Sequence, residues 1–97
     1  MSLPVRLLPE AQAEFDAAVD WYEQQTGLGA DFVARVRDVI NRVAANPKLH
    51  ATVYQDVRKA VVTKFPYVVI YREEAGELLV VAVFHTSRDP SVWQSRI

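Results

Sequence analysis

The chain has no cysteine, one methionine and three glycines in 97 residues. Without a thiol it can form neither a disulfide framework nor a thiolate metal site, so the fold rests on its apolar core, and a reducing compartment suits it. Histidine is nearly as scarce. His50 and His85 lie far apart, no ligand spacing joins them to other donors, and neither a metal nor another cofactor is expected. Long apolar runs are missing as well. Nothing reaches membrane-spanning length, and the opening M-S-L-P-V-R-L lacks the basic head and apolar stretch of a secretory leader, so the expectation is a cytoplasmic protein that engages no membrane. Finally, there is no surplus of positive charge. A net charge of -1 argues against binding through many phosphate contacts, which demand an excess of Lys and Arg. That charge is unevenly placed: residues 1–56 hold five basic and eight acidic side chains, residues 57–97 six basic and four acidic.

What is present is ordinary for one globular domain spanning residues 1–97, with 51% apolar and 24% charged residues. The most ordered pattern lies between Val57 and Pro90. Val57 to Phe65 alternates with a period of two and is rich in β-branched residues, which predicts a strand. Pro66 ends it, because proline has no N–H for the ladder, and Tyr67 to Arg72 restarts as a second strand. Glu73 to Glu77 supplies a turn around Gly76. Leu78 to His85 is apolar on both parities, as expected of a strand in mid-sheet with cover on each side.

Upstream, Val5 to Leu8 is too short for a helix and sits between two prolines, which predicts a short edge strand. Pro9 suits the first turn of a helix running from about Glu10 to Gln25, whose apolar stripe is Ala11, Phe15, Ala18 and Tyr22. Val19 and Trp21 flank that stripe, and a tryptophan so placed is expected to pack on a neighbouring helix. After the break at Thr26-Gly27-Leu28-Gly29, Phe32, Val36, Val39 and Val43 repeat the spacing in a helix from Phe32 to Asn46. Lys48 to Asp56 has no period and reads as a connection. Asp89 and Pro90 mark a short final helix within Ser91 to Ile97. The expected fold class is α+β: an antiparallel four-stranded sheet of order β-α-α-β-β-β plus a short C-terminal helix, with the helix hairpin packed on one face.

That order, with F-P-Y-V-V-I-Y-R, then A-V-F-H, then R-D-P-S-V-W-Q-S-R, resembles the RelE/ParE toxin superfamily of bacterial type II toxin-antitoxin systems, the plasmid-stabilisation type. The residues that carry the resemblance are Arg58, the Phe65-Pro66-Tyr67 junction, Tyr71, His85, Arg88-Asp89-Pro90 and Trp93, and it spans nearly the whole chain. It implies a toxin that a cognate antitoxin protein neutralises. Two mechanisms occur in the superfamily: ParE-like members inhibit DNA gyrase without hydrolysis, and RelE-like members cut messenger RNA on the ribosome. Neither uses a small-molecule substrate. If the ribonuclease reading holds, His85 is the proton carrier, and Arg58, Lys64, Arg72 and Arg88 stabilise the charged phosphorane. The chain departs from the RelE-like pattern in its net charge and in its tail, which offers Trp93 where that pattern has a tyrosine. Gyrase inhibition therefore ranks first, ribosome-dependent cleavage second, and a non-toxic protein-binding sheet module third.

Each of these residues also has a plain structural reading. A lone histidine at the end of an apolar strand is usually hydrogen-bonded and buried, and Arg88 has the choice of a carboxylate or of strand-end carbonyls. Tyr67, Tyr71 and Phe84 are core or cross-strand partners first. His50 receives no role. Two spatial expectations follow. Arg58, Lys64, Arg72, His85 and Arg88 should share one concave surface on the sheet's exposed side, Arg58 and Lys64 by equal parity. The helix hairpin covers one sheet face, so the other should be left as an apolar patch, and the antitoxin is expected against that sheet face or the helix hairpin, adding a helix or an edge strand.

Overall fold

The computed structural model describes residues 2–97. The elements are β1 (Val5–Leu7), α1 (Pro9–Thr26), α2 (Gly29–Ala45), β2 (Thr52–Tyr54), β3 (Val57–Val61), β4 (Tyr67–Glu74), β5 (Glu77–His85) and α3 (Ser91–Gln94). The class is α+β as expected, but the sheet has five strands and is mixed. Its order is β1-β5-β4-β3-β2, with β1 parallel to β5 and every other pair antiparallel.

One short strand supplies the fifth. The stretch expected to be a plain connection forms β2, and a tight turn with Gln55 at φ 50° folds it back onto β3. The helix hairpin carries the chain from β1 at one edge of the sheet to β2 at the other, and β1 runs parallel to β5. β3 is also shorter than expected. It stops at Val61, because Lys64 takes φ 72° in the turn before Pro66 and cannot continue a strand.

The helices follow their stripes. Phe32, Val36, Val39 and Val43 of α2 are buried, as are Ala11 and Ala18 of α1. Gly27 caps α1 at φ 71°, its N–H donating to the Glu23 carbonyl, in the left-handed region that favours glycine. Gly29 serves a different purpose. A Cβ there would stand 2.9 Å from the Glu23 Cβ and 3.1 Å from the Val19 carbonyl oxygen, so its absence lets α2 start close against α1. Phe32 centres the first core, with ring centroids 5.1 Å from Tyr22, 5.1 Å from Phe65 and 5.0 Å from Tyr67.

The second sheet face is not left open. Val57, Val68, Ile70, Val81, Ala82, Phe84 and Trp93 form a second buried cluster, with Tyr54 and Ile97 packed against it. A tail of a few residues suffices because Trp93 is large and meets Tyr54 of β2 edge-on at 5.8 Å. The expected apolar patch is thus covered by the chain's own residues. What stays exposed on this side is its rim, Val53 and Val61.

A bulge in β5 decides which way the strand's end faces. Ile70 pairs with Ala82, yet Tyr71 pairs with Val80, so Val81 is an extra residue. Val81 and Ala82 both turn to the second core, while Leu78, Val80 and Val83 face the helices. Parity inverts across the bulge. His85, which shares the parity of Val83, therefore ends on the side of α1.

β1 covers β5 only as far as Val80, whose carbonyl accepts the Leu8 N–H. Beyond it, side chains replace the missing strand. Glu14 Oε1 accepts the Val83 N–H at 3.2 Å, and Arg96 Nη1 donates to the Val81 carbonyl at 3.1 Å. Among the described residues, no helix is long and apolar enough to cross a membrane.

Candidate functional site

The five residues singled out from the sequence do not share one surface. Arg58 lies opposite Tyr71 on the helix side, where its guanidinium donates to the His50 carbonyl and closes the connection after α2. Arg72 points to the second face, with the parity of Val68 and Ile70, and is bonded to Asp56 at 3.0 Å with Glu74 at 4.0 Å. Lys64 stands in the β3–β4 turn, outside any strand, so equal parity with Arg58 no longer applies. Between Arg58 and His85 lie four residue steps along β4 and two strand spacings, roughly 16 Å by ordinary sheet geometry. Of the five, only His85 and Arg88 are brought together; the bulge turns His85 towards α1, and the pair stands at the sheet end, lining a cleft beside α1 and also a hollow of about 260 Å³ on the second face with Lys59, Val53, Phe84 and Trp93.

These two line a cleft of about 290 Å³ between α1 and the end of β5, with Glu14, Ala18, Trp21 and Tyr67 as its other main walls. A second hollow, of about 440 Å³, adjoins it and shares Trp21, Tyr67 and His85. Contacts within the chain hold the polar groups. The His85 ring meets Tyr67 edge-on at 5.2 Å, and its Nδ1 accepts the Ser87 backbone N–H at 3.0 Å, with Ser87 Oγ 2.7 Å away. Arg88 donates to Glu14 Oε2 at 3.0 Å and lays its guanidinium 4.4 Å above the Phe84 ring. Trp21 does not pack on α2. It is 56% exposed and leans edge-on against Tyr22 at 5.0 Å, so the expectation of a packed tryptophan is corrected.

The polar groups of the cleft are of both kinds, the Glu14 carboxylate accepting from Val83, Arg88 and Arg96. A backbone N–H can only donate, so His85 Nδ1 is an acceptor and the neutral ring carries its proton on Nε2. Arg88 and the Trp21 indole have only donors. The Tyr67 phenol is pushed up from its ordinary range, first by burial and then by Tyr22 and Glu14, with Arg88 acting in the opposite sense; at neutral pH it stays an O–H.

For RNA cleavage the arrangement offers little. The one guanidinium beside His85 is matched by the Glu14 carboxylate, and Nδ1 is already engaged by the backbone. Trp93, the tail residue in the place of a base-stacking tyrosine, is 5% exposed and forms part of the second core. Among the described residues, no three His, Cys, Asp or Glu side chains gather where they could hold a metal ion.

Sequence reasoning passed over Glu14, Trp21 and Ser87. Glu14 fell outside the apolar stripe of α1 and Ser87 in a turn, and nothing local marks either. For Trp21 a signal existed: Ala17 and Ala18 one turn before it leave its ring unshielded on the sheet-end side.

Known proteins bear on this geometry. A family model described as the ParE toxin of type II toxin-antitoxin system, parDE, matches residues 5–90. No curated protein matches. Among solved structures, a chain of the chromosomal ParDE TA system from P. aeruginosa superposes with a TM-score of 0.65 at 17% identity, covering 87% of this chain and 96% of that one. At that identity the likeness is one of fold.

Proposed function

This chain belongs to the ParE toxin family of type II toxin-antitoxin systems, and from that premise we propose that it arrests growth by binding DNA gyrase rather than by cutting RNA, and that a cognate antitoxin neutralises it. The observation that carries the mechanism is the dispersal of the cations. A ribonuclease of this fold needs several basic groups around one scissile phosphate, whereas Arg58 is spent on the His50 carbonyl, Arg72 on Asp56, and Arg88 on Glu14. A binding toxin needs none of that convergence. It needs a surface of fixed shape, which the cleft beside Trp21 supplies.

The antitoxin is assigned to the β2 side of the sheet. β2 is a three-residue edge strand with a free outer side, and Val53 and Val61 beside it are 47% and 64% exposed. A segment that is disordered alone can add a strand to such an edge and bury those residues as it folds. The support for this reading is the exposed rim, Val53 of which also lines the hollow on that face.

The test is inducible expression of the chain in bacteria, alone and with the product of the adjacent small open reading frame. The expected result is growth arrest with altered plasmid supercoiling and intact transcripts, relieved by the neighbour. Cleaved transcripts with unchanged plasmid topology would reverse the ranking, and a folded chain that arrests nothing would remove both mechanisms.

A further inference from the structure

We propose that the outer edge of β3 from Lys59 to Val61, which β2 is too short to cover, is where the antitoxin adds a strand, and that this strand carries an apolar residue opposite Val61 and, two positions away, a carboxylate opposite Lys59. This deepens the antitoxin reading given above and rests on it.

Backbone direction locates the open edge. The Val62 N–H donates to the Tyr67 carbonyl at 2.9 Å, and along an antiparallel strand such bonds to one neighbour fall on every second residue. Ala60 therefore faces β4 in the same way, while Lys59 and Val61 turn their N–H and carbonyl groups outward. β2 pairs with Val57 and Arg58 and goes no further. Among the described residues, no turn, loop or cap hydrogen bond takes up the main chain of Val61. An edge left unpaired in this way is a template for extended chain.

The side chains on that edge supply the chemistry. Val57 lies in the second core, so the period of two puts Lys59 and Val61 on the same face, where Val61 is 64% exposed. Lys59 is exposed and belongs to none of the ion pairs among the described residues. The hollow of about 260 Å³ behind it has no carboxylate in its walls, so an incoming acid meets a cation and no like charge. Residues directly opposed on neighbouring strands meet side to side, which fixes the partner's pattern as an apolar and an acidic residue with one residue between them. The occupant follows from the edge itself. A folded target has few strands to spare, whereas a segment that is disordered alone is free to become one. A second copy of this chain would bring the same lysine and no acid to match it, and an edge lysine guards against such pairing.

The experiment uses the full chain and the purified product of the adjacent small open reading frame, with amide exchange followed by NMR in the free chain and in the complex. The Ala60 N–H should be protected in both states. The Val61 N–H should exchange freely in the free chain and slow by at least about a hundredfold in the complex, as for an amide that gains a ladder partner. Lys59→Glu, checked for an unchanged melting transition, should weaken the complex by at least about tenfold through like-charge contact. Lysine in place of the antitoxin's acidic residue should recover most of that loss. A complex in which Val61 exchanges as in the free chain overturns the proposal and leaves the antitoxin reading standing, and so does a Lys59→Glu chain that binds as tightly as the wild type. Val61 protection that rises with the concentration of the free chain gives the edge to a second copy, and protection by gyrase gives it to the target; each overturns the proposal as well. A neighbouring product that neither binds the chain nor relieves arrest removes the antitoxin reading, and the proposal with it.

Discussion

Glu14 and Arg96, one in the first helix and the other next to last in the chain, face each other in two parallel hydrogen bonds: Nη1 to Oε1 at 3.0 Å and Nη2 to Oε2 at 2.9 Å. The Arg96 guanidinium is pushed up from its ordinary value, chiefly by its hydrogen bonding to Glu14. Both side chains are nearly enclosed, and each also bonds the edge of β5 that β1 leaves uncovered. One ion pair thus closes the sheet, pins the tail over the second core, and leaves Glu14 Oε2 to hold Arg88 at the cleft.

Removing the carboxylate should therefore cost stability at a distance. Glu14→Ala is expected to lower the unfolding free energy by about 2–3 kcal/mol, somewhat under the 3–5 typical when one partner of a fully buried pair is lost. Glu14→Gln should lose less, because an amide oxygen still accepts the Val83 N–H. Urea denaturation of the three proteins gives the order directly.

The two tryptophans should behave oppositely. Trp93→Ala opens the second core and is expected to cost about 3–5 kcal/mol, while exposed Trp21→Ala should change stability by no more than about 0.5 kcal/mol. Thermal melts distinguish them. Intrinsic fluorescence should show a blue-shifted Trp93 and a red-shifted Trp21 in the single-tryptophan proteins.

Asp89 makes the tail sensitive to acid. Its Oδ1 accepts the Ser91 N–H at 3.0 Å, and that backbone hydrogen bond, with a further one to the Ser91 side chain, holds the carboxyl below its ordinary range. A depressed folded-state pKa contributes stability that is complete above the ordinary carboxylate value and is lost as pH falls through the depressed one. The α3 turn should loosen in that acidic window. In Asp89→Ala it should be loose at every pH, as followed by amide exchange at Gln94 and Ser95.

Lys64 offers a test of its own. It takes φ 72° without being glycine, so Lys64→Gly relieves left-handed strain that outweighs the added freedom of the unfolded chain, for a net gain of up to about 1 kcal/mol. Growth arrest should be undiminished. A stable, inactive Lys64→Gly protein would return Lys64 to the functional site.

Much of the fold could be read from the chain because burial imposes its own period. Phe32, Val36, Val39 and Val43 form a stripe only if α2 is a helix, and Leu78 to Phe84, apolar on both parities, fits only a central strand with two covered faces. The remaining features are set by events that leave no periodic trace. Thr52–Tyr54 is too short to show alternation, yet it adds a fifth strand at the sheet edge. Val81 looks like any other valine of its strand, yet as the extra residue it carries His85 across to α1. That inversion turned His85 to the face opposite Arg72 and placed it with Trp21, a residue whose neighbours in sequence say little about its neighbours in space. The tail's reach was misjudged for a related reason: its cover comes from one indole against Tyr54, not from its length.

The central claim is tested most directly with the purified chain, assayed in parallel for inhibition of DNA supercoiling by gyrase and for cleavage of messenger RNA in a reconstituted translation reaction. Gyrase inhibition predicts loss of supercoiling at stoichiometric toxin, with full-length transcripts throughout. Ribosome-dependent cleavage by the wild type, abolished by His85→Phe and with supercoiling untouched, would contradict it.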